Sequence, residues 1–125
     1  MKRFRIWMYG PPVVYMILIF ILSSIPKMRP PDLGLQAEDK IAHVIEYAIL
    51  GVLLTRSAAL KHPFSVRLFL CIFIIGTSYG VSDEIHQAFV PNRFASVWDA
   101  AADAIGICAG QIVYWQWKNY RSKTR

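Results

Sequence analysis

The chain has 125 residues, 55% of them apolar, with a mean hydropathy of +0.36. Apolar runs of about 20 residues, the length a helix needs to cross a bilayer, take up nearly all of it and leave no room for a soluble domain of useful size. The net charge of +6 therefore reads as membrane topology and not as a nucleic-acid footprint.

The first apolar segment is expected from about Ile6 to Ile25. Lys2, Arg3 and Arg5 precede it, Pro26 closes it, and Pro11 and Pro12 fall in its first turns, where proline is tolerated best. No small-x-small site precedes Pro26 and further apolar segments follow, so the segment reads as a span and not a cleaved leader. The second segment is expected from about Asp39, a plausible N-cap, to Ala59, ahead of the turn at His62-Pro63. The third runs from about Ser65 to Val90 and stops at Pro91-Asn92. The fourth runs from about Trp98 to Tyr120, and Tyr114, Trp115, Trp117 and Tyr120 near its end mark a membrane interface. Cys71 and Cys108 lie within apolar runs and are expected to be buried small apolar residues, neither a disulfide nor a metal pair. The expected fold is all-α, a single integral-membrane bundle of four transmembrane helices spanning residues 1–125.

Lysine and arginine set the expected orientation. Lys2, Arg3, Arg5, Arg56, Lys61, Arg67, Lys118, Arg121, Lys123 and Arg125 fall on one side of such a bundle. Lys27, Arg29, Lys40 and Arg93 fall on the other. The first side is expected in the cytoplasm, with both termini inside. All eight acids (Asp32, Glu38, Asp39, Glu46, Asp83, Glu84, Asp99 and Asp103) then lie on the outer side or in the outer half of a helix. The orientation rule does not demand this, since it concerns lysine and arginine.

These acids belong to three polar stripes. Asp39, Lys40, His43, Glu46 and Tyr47 fall within an arc of about 120° on the second helix. Asp83, Glu84 and Gln87 share about 100° of the third, and His86 points partly away. Glu46 and Asp83 lie at matching depths, about 10 and 12 Å below the outer ends of their helices, so the stripes can meet. Asp99, Asp103, Gly106 and Gly110 share one face of the fourth helix, with Ala102 extending the small-residue track that lets backbones approach. Ionisable groups are costly inside a membrane and face the bundle interior or a cavity. Three helices aiming them at one level point to a functional site.

Each residue carries a plain and a sharp reading. His43 and Tyr47, four residues apart, are suited to a mutual hydrogen bond or to a general base with its orienting partner. Asp83 and Glu84 fit ion pairs with Lys40 or Arg93, an acid held protonated, or a divalent-metal site completed by Asp39, Glu46 or Asp103. Such oxygen-rich ligation suits magnesium or calcium better than zinc. Arg93 fits a lipid-headgroup anchor or a phosphate or carboxylate clamp. Trp98, Tyr79 and the run at Tyr114 read as packing and interface residues.

Four motifs stand out together: Ser23-Ser24-Ile25-Pro26, Asp39-Lys40-x-x-His43-x-x-x-Tyr47-x-x-x-Gly51, Gly80-x-x-Asp83-Glu84-x-x-Gln87-x-Phe89-x-Pro91-x-Arg93 and Asp99-x-x-x-Asp103-x-x-Gly106. In combination they resemble the VanZ-like family. The resemblance spans roughly residues 11–114. It implies a bacterial, multi-helix membrane protein of the cell envelope, whose family namesake is associated with resistance to the lipid-bearing glycopeptide teicoplanin. The expected partner is a membrane amphiphile, such as an undecaprenyl-linked cell-wall precursor or a lipoglycopeptide, met at the outer leaflet of the cytoplasmic membrane. Glu84, Asp83 and His43 are the candidates for proton transfer. Lys40, Tyr47, Gln87, Arg93, Asp99, Asp103, Asp39 and Glu46 are the candidates for ligand binding. The residues leave open whether the ligand is modified or only bound, and an oligomeric transporter is a further alternative. The chain has neither a G-x-S-x-G nucleophile elbow nor a phosphate-cradling glycine loop.

Overall fold

The computed structural model describes residues 2–26 and 36–124. They form four helices, α1 (Lys2–Ser23), α2 (Gln36–Ala59), α3 (Val66–Gln87) and α4 (Val97–Lys123), joined by turns and loops. The expected all-α bundle is observed. Lys27, Arg29 and Asp32, expected on an outward loop, lie outside the described residues.

Several boundaries differ from expectation. α2 starts at Gln36, so Asp39 sits with Glu38 in its first turn instead of capping it. Carboxylates there still complement the helix dipole. α3 and α4 are capped by serine: Ser65 Oγ accepts from Leu68 N at 3.2 Å, and Ser96 Oγ from Asp99 N at 3.3 Å. α3 ends at Gln87, and the following turn places Asn92 at a φ of 62°, in the left-handed region that asparagine tolerates.

α2 and α4 form the most extensive helix pair. Their backbones nearly touch, because a Cβ added at Gly106 would lie 2.5 Å from the Val44 carbonyl oxygen. One added at Gly110 would collide with the Ala48 carbonyl. Small residues therefore set the spacing, as the alignment of Ala102, Gly106 and Gly110 predicts. α1 and α4 each pack on α2 and α3 but not on each other, so they flank that pair from opposite sides. Ile19, Tyr47, Leu50 and Ile107 meet at the centre.

The bundle is more polar inside than outside. Among the described residues, ten polar or charged side chains are buried against seven apolar ones, while Ile6, Trp7, Val66, Ile74 and Phe89 are more than 60% exposed. Water as the surrounding solvent would favour the reverse, whereas lipid favours this arrangement. α1, α2 and α3 are each long and apolar enough to cross a membrane. α4 has the length, with 27 residues, but Asp99, Asp103 and Gln111 on its buried face leave it less apolar than the other three. Cys71 is exposed and Cys108 half-buried, both as free thiols. Their expected burial fails because an apolar position on a membrane helix also suits the outer surface.

Pro11 and Pro12 lie within α1 and not in its first turns, because the helix begins at Lys2. Proline has no N–H to donate, which frees the carbonyl four residues earlier. For Pro12 that is the Met8 carbonyl, and Ser57 Oγ on α2 donates to it at 2.6 Å, with Leu53 O at 2.8 Å as its alternative acceptor. A side chain of a neighbouring helix thus satisfies the broken ladder. Ser57→Ala is expected to destabilise the bundle by about 1–3 kcal/mol, the cost of an orphaned buried carbonyl. A thermal melt in detergent checks this, and an unchanged midpoint would mean that Met8 O finds another donor.

Candidate functional site

The buried ionisable residues of α2, α3 and α4 gather at one end of the bundle. That end is defined by contacts across it: Lys40 at the start of α2 donates to Asp99 Oδ1 at the start of α4 at 2.8 Å. Arg93, after α3, donates through Nε to Ile25 O and through Nη2 to Leu22 O at the end of α1, both at 2.9 Å. The opposite end joins Ser57 to Met8, Lys61 to the Tyr9 hydroxyl, and the Phe64 ring to Trp115. Among the described residues, Arg3, Arg5, Arg56, Lys61, Arg67, Lys118, Arg121 and Lys123 lie toward that second end.

His43 is the hub of the polar end. Its Nδ1 lies 2.8 Å from Asp103 Oδ1 and 4.0 Å from Glu84 Oε1. The first distance is a hydrogen bond and the second is beyond reach of one. All three residues are buried. Glu84 is oriented from the other side, because its Oε2 accepts from the Ser96 backbone N–H at 2.8 Å. That contact places the carboxylate at the N-terminus of α4, where the helix dipole favours negative charge. The opposing backbone makes room as well: a Cβ at Gly80 would lie 2.9 Å from Asp103 Oδ2.

The helical arcs brought the expected residues together, but not always as the expected pairs. Tyr47 is fully buried beneath His43, yet its hydroxyl has no hydrogen-bond partner among the described residues, because the imidazole turns to Asp103 instead. Asp83 Oδ2 accepts from Gln87 Nε2 at 2.9 Å, and Gln87 Oε1 accepts from Arg93 Nη1 at 3.0 Å, so Arg93 reaches Asp83 only through the amide. Lys40 pairs with Asp99 and not with Asp83 or Glu84. Glu46 is half-buried and within electrostatic reach of His43, Asp83 and Asp103. His86 turns away from the cluster, stacking on Phe20 and meeting Ser24 Oγ at 2.9 Å.

Three of the five guanidinium N–H donors of Arg93 are spent inside the protein, two of them on carbonyls at the C-terminus of α1, a helix end that needs such donors. Sequence reasoning did not find this role, nor that of Ser96, because a backbone carbonyl or N–H leaves no mark in the pattern of side chains. Buried Gln111 and Ser57 in the other half of the bundle were also missed. Only the motif track toward Gly110 pointed in their direction.

Among the described residues, two groups of side chains bring metal-ligating atoms within 4.8 Å of one another: His43 with Glu84 and Asp103, and His43 with Asp39 and Asp99. Glu46 and Asp83, weighed as ligands on sequence grounds, belong to neither. A groove along α1, lined by Trp7, Pro11, Val14, Leu18 and Leu53, is apolar and contains none of the cluster's residues. No curated protein and no solved structure matches the chain. The VanZ/LLP1 family profile matches residues 12–118. With the four helices and their shared polar end, this match establishes that the chain is a member of the VanZ/LLP1 family.

Proposed function

We propose that the protein is a cell-envelope membrane protein whose polar end binds or modifies an anionic amphiphile at the outer leaflet. A lipid-linked cell-wall precursor or the lipid-bearing tail of a glycopeptide such as teicoplanin has the required chemistry. The observation that carries this reading is the position of the His43–Glu84–Asp103 cluster. It occupies one end of a lipid-facing bundle, and the lysines and arginines of the termini and the α2–α3 connection lie toward the other end. Basic residues stay in the cytoplasm, so the cluster end is read as outward and both termini as inward.

Lys40, whose side chain is 40% exposed, reaches both the Asp99 carboxylate and the surface. It and the two remaining N–H donors of Arg93 hold the anionic headgroup in this reading, and charge-assisted bonds suit phosphate or carboxylate. Glu84, oriented by Ser96, and His43, oriented by Asp103, carry any proton transfer, with Asp83 beside them. Apolar surface next to the cluster, including Phe89, Phe94 and Trp98, suits the acyl or polyprenyl part of the same ligand.

Native mass spectrometry of the gently extracted protein tests this. A specific anionic lipid is expected on the wild type. Retention is expected to fall about tenfold or more in Lys40→Met and in Lys40→Met/Asp99→Asn, which removes the pair without stranding a charge. Identical lipid retention by all three proteins would end the headgroup reading. If Glu84→Asp retains full cellular activity and no altered lipid is ever found, the site binds without chemistry.

A further inference from the structure

The buried carboxyl groups of the cluster outnumber its basic partners. Among the described residues, Asp83, Glu84, Asp99 and Asp103 are buried at this end. Asp99 has Lys40, and Asp83 is linked through Gln87 to Arg93. Glu84 and Asp103 have only the His43 imidazole between them. With both carboxylates ionised, the trio carries a net charge of −1 when the imidazole is protonated and −2 when it is neutral. An uncompensated charge in such surroundings is costly. Among the described residues, two carboxylate oxygens of the trio also stand without a hydrogen-bond partner, Glu84 Oε1 and Asp103 Oδ2, in residues 4% and 0% exposed, as does Asp83 Oδ1 beside them.

We propose that His43, Glu84 and Asp103 form a binding site for one divalent transition-metal ion of the zinc and manganese class. The orphaned Glu84 Oε1 faces His43 Nδ1 at 4.0 Å, and Asp103 Oδ1 lies 2.8 Å from the same nitrogen. Ligand atoms about 2.0–2.2 Å from a common ion stand no more than about 4.4 Å apart, so both separations fit. One imidazole nitrogen with two carboxylate oxygens suits zinc, manganese, iron or cobalt, whereas magnesium and calcium prefer oxygen alone. This differs from the oxygen-only set considered on sequence grounds, because the imidazole stands between the carboxylates. The group of Asp39, His43 and Asp99 is the weaker alternative, since Asp99 is already engaged by Lys40.

Loading displaces the proton between His43 Nδ1 and Asp103 Oδ1. From the imidazolium that proton is released to solvent while Nε2 keeps its own, and from the neutral Nδ1–H tautomer it moves to Nε2. Three protein ligands leave positions for an oxygen anion, so the site deepens the amphiphile reading by placing a metal where a phosphate or carboxylate headgroup would bind. It does not require that reading.

The test is a cobalt(II) titration of chelator-stripped protein in detergent, with no lipid added, followed by visible absorption and calorimetry. One saturable ion per chain is expected, displaced by zinc. Glu84→Gln and Asp103→Asn are each expected to weaken binding at least about a hundredfold, since even indirect partners of ligands cost 10–100-fold. Glu38→Gln, an exposed acid on α2, serves as the control. Absence of saturable binding overturns the proposal. So does binding indifferent to both variants, which means an adventitious ion only, or a loss that follows Asp39→Asn instead. If Asp103→Asn fails to fold, Glu84→Gln decides alone, because glutamine retains an oxygen for the Ser96 N–H. Cobalt binding without lipid retention would sink the amphiphile reading and leave the metal site standing. Lipid retention without cobalt binding would do the opposite.

Discussion

Glu84→Gln is expected to leave the protein at its normal level in the membrane while lowering its activity about 10²–10⁴-fold, the range for loss of a proton-transferring group. The substitution is nearly isosteric. The amide oxygen can still accept from Ser96 N–H, which Glu84 Oε2 does at 2.8 Å, and the His43–Asp103 bond does not depend on it. What disappears is the charge and the proton of a buried carboxyl beside an imidazole. Under the proposed function, the readout is any protection of the host against teicoplanin, compared at matched protein level and matched thermal midpoint. Unchanged protection would remove Glu84 from the mechanism. A fall in activity that merely parallels a fall in stability would reduce the cluster to a device that fixes helix register.

The largest structural effect is expected from Gly110→Val. A side chain there would run into the Ala48 carbonyl, with Val52 N only 2.9 Å from the added Cβ. Both are main-chain atoms of α2, which cannot turn aside as a flexible side chain can. The α2–α4 pair must separate, and with it the spacing that brings His43 to Asp103. Overpacking of this kind costs about 1–3 kcal/mol where a core can adjust, and more where it cannot. The variant is expected to give no monodisperse peak on size-exclusion chromatography in detergent. Gly10→Ala is the matched control, because its added methyl would meet nothing closer than Ile6 Cγ2 at 3.9 Å. A Gly110→Val protein with wild-type behaviour would show that the two backbones are not in contact.

The helices and the level of the site were legible in the sequence because both follow from periodicity. Asp99, Asp103, Gly106 and Gly110 recur at helical spacing, so their common face is fixed before any partner is known. The same holds for His43 and Glu84 on their own helices. The choice of partner was not legible. Lys40 had Asp83, Glu84 and Asp99 within plausible reach, and only the crossing of α2 and α4 selects Asp99. Tyr47 looked like the companion of His43 at four residues' distance, yet the imidazole found Asp103 on another helix. Arg93 looked like a clamp for an anion outside the protein or a partner for Asp83 or Glu84. Two of its acceptors are main-chain carbonyls, which every residue has.

That last point bears on how α1 is held. Ser57 reaches Met8 O, Tyr79 reaches Met16 O at 2.6 Å, and Arg93 reaches Leu22 O and Ile25 O. Each of these anchors, drawn from α2, α3 and the turn beyond α3, grips the main chain of the first helix and ignores the identity of the residue gripped. Apart from the buried Met8 and Ile19 and the side chains of Tyr9, Tyr15 and Phe20, which meet α2, the turn after it and α3, α1 is thus free to change its lipid-facing composition without losing its seat. Its outer surface can be retuned to bilayers of different thickness or headgroup content while the polar end, built on the other three helices, keeps its geometry.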